Sequence, residues 1–367
     1  CAVAYVDTAA SADAVHTFAV PQLVAAGEVE ARETLPSFHY EPAAGEFAGD
    51  ALKLPWKSED GDFVIGAFAR DHGETVPGRQ IGSAKSWLCH SGVDRTCALL
   101  PWHGADDVEM LSPIEVSQRI LGHIRAAWNH RFPDQPLEAQ DVAITLPASF
   151  DEVARELTVK AAAQAGLPRI VLLEEPQAAF YAWIHRHRQD WQSHVRPGQK
   201  ILVCDVGGGT SDFTLIRVRP GSGGKVRFHR VAVGDHLILG GDNLDLALAH
   251  HVEQQLAGAG KKLSPRQWGV LVRTCRRAKE ALLGASPPET FTINLPGSGS
   301  KLIGGGLQTE ISQSEVRRIL LDGFLPIVPL DAQPSQRSSG FQEFGLPYAP
   351  DPAITRYLAA FLTAHRH

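Results

Sequence analysis

The sequence predicts an α/β fold in two lobes, with mixed sheets flanked by helices, and three observations carry that reading. Apolar strand-like runs alternate with helical runs between 141 and 190. A glycine-rich hairpin then joins two strand-like runs at 201–218, and helical periodicity dominates from 240 to 284. At 367 residues, 44% hydrophobic and 21% charged, the chain suits a folded protein of about two domains.

The elements follow in order. Residues 1–110 hold short strand-like pieces broken by many Pro and Gly. "DVAITLP" (141–147) reads as a strand and "ASFDEVARELTVKAAAQAGL" (148–167) as a helix. Ser149 and Glu152 have capping-box spacing, and Gly166 is placed to close the helix. "RIVLLEEP" (169–176) reads as a second, buried strand and "QAAFYAWIHRHRQDW" as a second helix, which predicts a parallel right-handed crossover. After a polar joint at 191–200 come the hairpin, a strand at 225–235, helices at 240–258 and 266–284, and a strand at 289–295. A Pro/Ser/Gly-rich irregular excursion fills 326–352, and "AITRYLAAFLTAHRH" reads as a final helix. The expected domains are a first lobe at 1–190, a second lobe at 198–325, and the excursion with its helix at 326–367.

Charge and cysteine usage narrow the partners. With 35 Lys+Arg against 41 Asp+Glu the net charge is -6, so no global electrostatic case exists for nucleic acid or an anionic membrane. The five scattered cysteines show no CxxC spacing, Cys204 falls within an apolar strand as a small hydrophobe, and no apolar run approaches the ~18 residues of a membrane span. A reduced, cytoplasmic setting is expected. The first residue is Cys1 and the single methionine is Met110, so the chain reads as a fragment or a processed chain.

The chemistry centres on "ILVCDVGGGTSDFTLIRV" (201–218). Gly207, Gly208 and Gly209 permit positive φ and close approach of a ligand to backbone N–H groups, as phosphate oxygens require. No GK[ST] follows, and "SDFTLIRV" alternates like a strand, so this is neither a P-loop nor a dinucleotide fingerprint. Asp205 and Asp212 beside an anion site would repel phosphate unless a cation intervenes, which implies Mg²⁺ or another metal ion. The hydroxyls of Thr210 and Ser211 are available to phosphate or to an ordered water. The plainer alternative is an exposed turn with two solubilising aspartates.

These residues carry a family resemblance. "DVGGGTSDFTLIRV" resembles the second phosphate motif of the heat shock protein 70 family, the DnaK-type chaperones on the actin-like ATPase (ribonuclease H-like) fold. "AITLPASFDEVARELTVKAAAQAGLPRIVLLEEPQAAFYAW" resembles that family's strand, helix, strand and Glu-Pro segment, and "GDHLILGGDNLDLALAHHV" its glycine-pair motif. The match runs in order from about 141 to 322.

The resemblance implies ATP or ADP with Mg²⁺, and site roles residue by residue. Glu175 and Asp205 would serve the magnesium water shell, Thr210 the γ-phosphate or attacking water, and Asp212 a monovalent or magnesium-linked site. Gly207, Gly208 and Gly209 would wrap the phosphates, with Gly240 and Gly241 nearer the nucleotide. Lys85, in "GSAKSWLCH", resembles the lysine that positions the attacking water; a lone loop lysine otherwise faces solvent. Pro147 and Arg155 match interdomain signalling positions. "RRAKEALL" (276–283) resembles the adenosine-stacking helix, with Lys279 at a contacting position; Arg276, Glu280 and Leu283 depart from the family pattern there. The first phosphate loop would precede "CAVAYVD", the last adenosine motif would follow about residue 325, and neither motif nor a substrate-binding β-domain is found. "GFQEFGLPYAPDPAITR" resembles an element of divergent bacterial relatives.

Other constellations are weaker. His185, His187 and His194 lie among arginines and read as a solvated basic face; Trp128, Trp183 and Trp191 read as core or interface anchors. No Gly-x-Ser-x-Gly elbow or HExxH occurs. The leading expectation is an ATP-binding, ATP-hydrolysing domain of a chaperone-like protein whose lobes close on nucleotide, with unfolded clients or co-chaperones as partners. The alternatives are a small-molecule kinase of the same superfold, which lacks an identifiable aspartate base, and a nucleotide-binding scaffold without hydrolysis.

Overall fold

A computed structural model describes residues 1–10, 14–56, 63–102, 104–257, 263–295, 306–335, 346 and 348–366. The chain forms two compact units, residues 1–142 with 152–171 and residues 143–151 with 172–367. The division does not fall at the polar joint, because the segments at 143–151 and 172–190 pack with the hairpin unit.

In the first unit, β1 (Val3–Val6) pairs antiparallel with β2 (Val15–Phe18), and β3 (Val20–Ala25) with β4 (Glu28–Arg32). β5 (His39–Tyr40) lies between β6 (Val64–Ile65) and β7 (Gln80–Ile81). Helix α1 (Ala67–Gly73) packs on β3 and β5, and Leu23, Tyr40, Val64 and Phe68 form the small core beneath it. The short α2 (Ala84–Trp87) packs on α3 (Pro113–Arg131). Ser112 opens α3 with a reciprocal cap: its Oγ accepts from Glu115 N at 3.2 Å, and Glu115 Oε2 accepts from Ser112 N at 2.7 Å. Trp128 on α3 is buried and meets Tyr5 edge-on at 5.2 Å, the core anchor expected of it.

Strand β8 (Val142–Leu146) leads to α4 (Glu152–Gln164), whose Leu157 and Ala161 cluster with Leu88 and Ile114. Gly166 closes α4 as expected: its φ is +83°, and Leu167 N–H donates to Ala162 O at 2.8 Å. The other end of α4 differs from expectation. The helix begins at Glu152, two residues later than a Ser149 cap requires, because the Ser149 hydroxyl is bonded elsewhere.

β8 shares a two-stranded sheet with β9 (Ile170–Glu174), and α5 (Glu175–Arg186) follows directly in the second unit. β9 was expected to be buried, yet Val171 is 66% exposed: with two strands among the described residues, one face of this sheet is uncovered. A short α6 (Trp191–His194) precedes a three-stranded antiparallel meander of β10 (Lys200–Val206), β11 (Ser211–Pro220) and β12 (Val226–Val233). β11 is central and buried along six consecutive residues, so its sequence alternation does not mark a solvated face. β10 lies at the edge, which leaves Cys204 exposed and not the buried hydrophobe expected.

The principal core joins this sheet to α7 (Gly241–Ala257), α8 (Pro265–Leu282), the antiparallel pair β13 (Thr290–Leu295) and β14 (Leu307–Ser312), and α9 (Gln313–Phe324). Ser264 and Ser312 cap α8 and α9 by the same reciprocal box. Helix α10 (Ile354–Ala364) packs on β11 through Phe361, which meets Phe213 at 6.1 Å, so the terminal helix is part of this core. The approach to it is pinned at buried Asp351, which accepts from Ser335 N, Ala353 N and Arg356 Nη1 at 2.6–2.9 Å. Described residues of the 326–352 excursion form no helix or strand; 336–345 and 347 lie outside the described residues.

The caps make acid stability testable. Backbone and hydroxyl donation from Ser112, opposed by burial, holds Glu115 below its ordinary 4.5, and donation from Ser312 holds Glu315 below it too. A folded value below the unfolded one gives stability that is present above about 4.5 and lost as pH falls through the folded value. Glu115→Gln with Glu315→Gln is therefore expected to flatten the decline in Tm from about pH 5 to 3, measured by thermal denaturation.

Candidate functional site

The hairpin between β10 and β11 sets Asp205 directly opposite Asp212 and Val206 opposite Ser211, so the two aspartates share a face. Gly207 N–H donates to Thr210 O at 2.8 Å and closes the loop. The base of β11 is fixed by Ser211, which exchanges backbone bonds with Leu237 and donates its hydroxyl to Leu239 O at 2.7 Å. Among the described residues, the N–H groups of Gly208, Gly209 and Thr210 and the Thr210 hydroxyl have no hydrogen-bond partner. Three successive donors without a partner form a ready anion cradle.

None of Gly207, Gly208 or Gly209 has positive φ, contrary to one reason expected for them. Their carbonyls explain what is required instead. Gly207 O accepts from Gly241 N at 3.0 Å and Gly208 O from Asp242 N at 2.7 Å, so the loop caps the start of α7 with its own backbone. A Cβ at Gly240 would lie 2.6 Å from both carbonyl oxygens. Gly240→Ala must therefore push the two backbones apart, and is expected to lower stability by about 1–3 kcal/mol, read from chemical denaturation.

The acidic residues differ in environment. Asp205 is half-buried, and its carboxylate has no hydrogen bond or ion pair among the described residues. Asp212 is 6% exposed and fully engaged: Ser149 Oγ donates to its Oδ1 at 2.6 Å, and His236 Nδ1 stands 3.1 Å from that oxygen. His236 Nε2 is buried without a hydrogen-bond partner among the described residues, with Phe150 edge-on to the ring. Glu175 is the first residue of α5, which packs on β10, so Glu175 and Asp205 occupy contacting elements. Neighbouring Glu174 pairs with Arg230.

A four-membered ion network lies behind the loop. Asp245, 1% exposed at its side chain, binds Arg276 Nε at 2.8 Å and Lys279 Nζ at 2.6 Å. Arg276 Nη2 also reaches Asp242 Oδ1 at 3.2 Å, and Lys279 donates to Gly241 O at 3.2 Å. The structure thus gathers Gly207, Gly208, Gly209, Thr210, Gly240, Gly241 and Lys279. Lys85, exposed on α2, belongs to the other unit.

Ser149, His236, Asp242 and Asp245 were not anticipated as partners of this site. The i,i+3 pairs Asp242/Asp245 and Arg276/Lys279 offered a signal, since each pair lies on one helix face. No comparable signal unites Ser149 with His236, which come from separate segments.

No group of three or more His, Cys, Asp and Glu is placed to hold a metal among the described residues. The donor set near the loop is instead the unpartnered carboxylate of Asp205 with Glu175 on the adjoining helix. That suits a hard ion such as Mg²⁺, which keeps much of its water and completes its shell with phosphate. No helix of the described residues is long and apolar enough to cross a membrane.

An α/β unit that presents unpaired loop amides beside an unpartnered carboxylate has the make-up of a phosphate-binding protein. The chain belongs to the Hsp70 family: the model described as Hsp70 protein matches residues 35–324. Its fold class is accordingly the actin-like ATPase fold. It is 32% identical over 257 residues to a protein named chaperone protein HscA homolog from Burkholderia lata, covering 67% of this chain and 38% of that protein. It is 30% identical over 262 residues to the HscA homolog of Pseudoalteromonas atlantica, covering 68% and 39%. With that of Acinetobacter baumannii it shares 33% over 225 residues, 60% of this chain and 34% of the relative. The chain spans about two fifths of the length of the first two relatives.

Proposed function

We propose that this chain binds ATP and ADP with Mg²⁺ and hydrolyses ATP as the nucleotide-binding part of a cytoplasmic chaperone-like protein. The observation that carries the reading is the run of unpartnered N–H groups at Gly208, Gly209 and Thr210, held by α7 and adjoined by Asp205. The amides bind phosphate oxygens, and the Thr210 hydroxyl orients the γ-phosphate or the attacking water. Asp205 and Glu175 would hold Mg²⁺ through its waters, and bound Mg²⁺ supplies neutralisation of phosphate charge. Asp212 serves from behind, as an anchor fixed by Ser149 and His236. Gly240 and Gly241 set the loop's distance from α7, Lys279 stands at the adenosine side, and Lys85 positions the attacking water.

Nucleotide-driven lobe closure is the output of this reading, and unfolded clients and co-chaperones are the partners of the whole protein. The names of the HscA homologs support the chaperone assignment. Arg276, Glu280 and Leu283, where the family pattern is altered, favour a nucleotide-binding scaffold without hydrolysis as the second reading; no observation favours the kinase. Titration calorimetry of the full-length protein with ATP and Mg²⁺, followed by a phosphate-release assay, tests binding and hydrolysis in turn. Heat with one nucleotide per chain and released phosphate are expected. Heat without phosphate leaves the scaffold, and no heat overturns the proposal.

A further inference from the structure

Asp242 places a carboxylate against the anion cradle. A Cβ built on Gly208 would lie 3.7 Å from both Asp242 carboxylate oxygens, and the Asp242 side chain is 45% exposed toward solvent. Uncompensated, this charge opposes any phosphate that approaches Gly208. Arg276 supplies compensation from α8. Its Nη2 stands 3.2 Å from Asp242 Oδ1, while its Nε is fixed at 2.8 Å on the buried Asp245. The guanidinium can do both because its planar fork presents donors in two directions, which a lysine cannot reproduce. Lys279 holds Asp245 from the other side, so Asp245 keeps a cationic partner if Arg276 is replaced, whereas Asp242 loses this guanidinium.

We propose that Arg276 is a positioning residue of the phosphate loop, one that neutralises Asp242 at Gly208 and so admits a polyphosphate to the cradle. The inference rests on the nucleotide reading above and adds to it the electrostatic condition under which the cradle works. Arg276 acts through Asp242 and needs no contact with the ligand itself.

The test is calorimetry of ATP with Mg²⁺ on the full-length protein and three variants, each checked for native Tm. Arg276→Gln is expected to weaken binding by about tenfold, the effect of one restored charge near the phosphates at intermediate dielectric. Adding Asp242→Asn to Arg276→Gln is expected to return affinity to within about twofold of the parent, a rescue that a purely structural role at Asp245 does not produce. Unchanged binding in Arg276→Gln, or a native-like double variant that stays weak, overturns the proposal while leaving the nucleotide reading intact. If Arg276→Gln does not fold, Asp242→Asn alone decides: equal or tighter binding upholds the proposal and weaker binding overturns it. Absence of binding by the parent overturns both.

Discussion

Asp245→Asn is expected to destabilise the second unit by about 3 kcal/mol, measured as a shift in the denaturant midpoint. The carboxylate is 1% exposed and faces two cations, Arg276 at 2.8 Å and Lys279 at 2.6 Å, whose side chains are themselves 15% and 18% exposed. Removing its charge leaves both cations poorly hydrated beside each other, and the loss of one member of a buried ionic set costs more than the set contributes relative to apolar replacements. The damage is not confined to packing between α7 and α8. Lys279 also donates to Gly241 O, so its release loosens the residue that binds the hairpin. Lys279→Met is expected to cost less, because Arg276 remains on Asp245.

Asp205→Asn is expected to do the reverse: to leave the fold within about 0.5 kcal/mol of the parent and lower ATP turnover by about 100-fold. No protein group depends on this carboxylate among the described residues, so little native structure is lost with its charge. What is lost is a carboxylate beside the hairpin turn that no described side chain engages. Titration of nucleotide with and without Mg²⁺ measures this separately from turnover, and the variant is expected to show a reduced effect of Mg²⁺ on binding. Unaltered turnover by Asp205→Asn removes the carboxylate from the proposed chemistry.

The contrast between Asp205, whose carboxylate is unengaged among the described residues, and Asp212 was only half legible in the sequence. The strand–Gly–strand pattern at 201–218 located Asp205 and Asp212 and the loop between them, because a hairpin is a local structure whose register follows from its turn. It did not reveal that Asp212 would be taken up by Ser149, which lies 63 residues away. The same long-range bond explains why Ser149, with capping-box spacing to Glu152, does not begin a helix: the spacing is local, and the competition for the hydroxyl is tertiary. Glycine posed a related ambiguity. It permits both positive φ and close approach, and only the packing of Gly240 on two carbonyls shows that the second applies here. In 1–110, β5, β6 and β7 are two residues each, too short for any period to register. The start of helix α3 is legible in "SPIE" at 112–115, where Ser112 and Glu115 have capping-box spacing and Pro113 stands at the first helical position.

The shared backbone bonds of the hairpin and α7 make two amides into reporters. Protons on the nitrogens of Gly241 and Asp242 are shielded by Gly207 O and Gly208 O, which belong to a different element 34 positions earlier in the chain. The first turn of a helix ordinarily leaves such protons to solvent, and they trade quickly for deuterium. Here they are expected to trade slowly, at the pace of hairpin opening, and mass spectrometry of that short peptide would follow the glycine turn without any label placed on it.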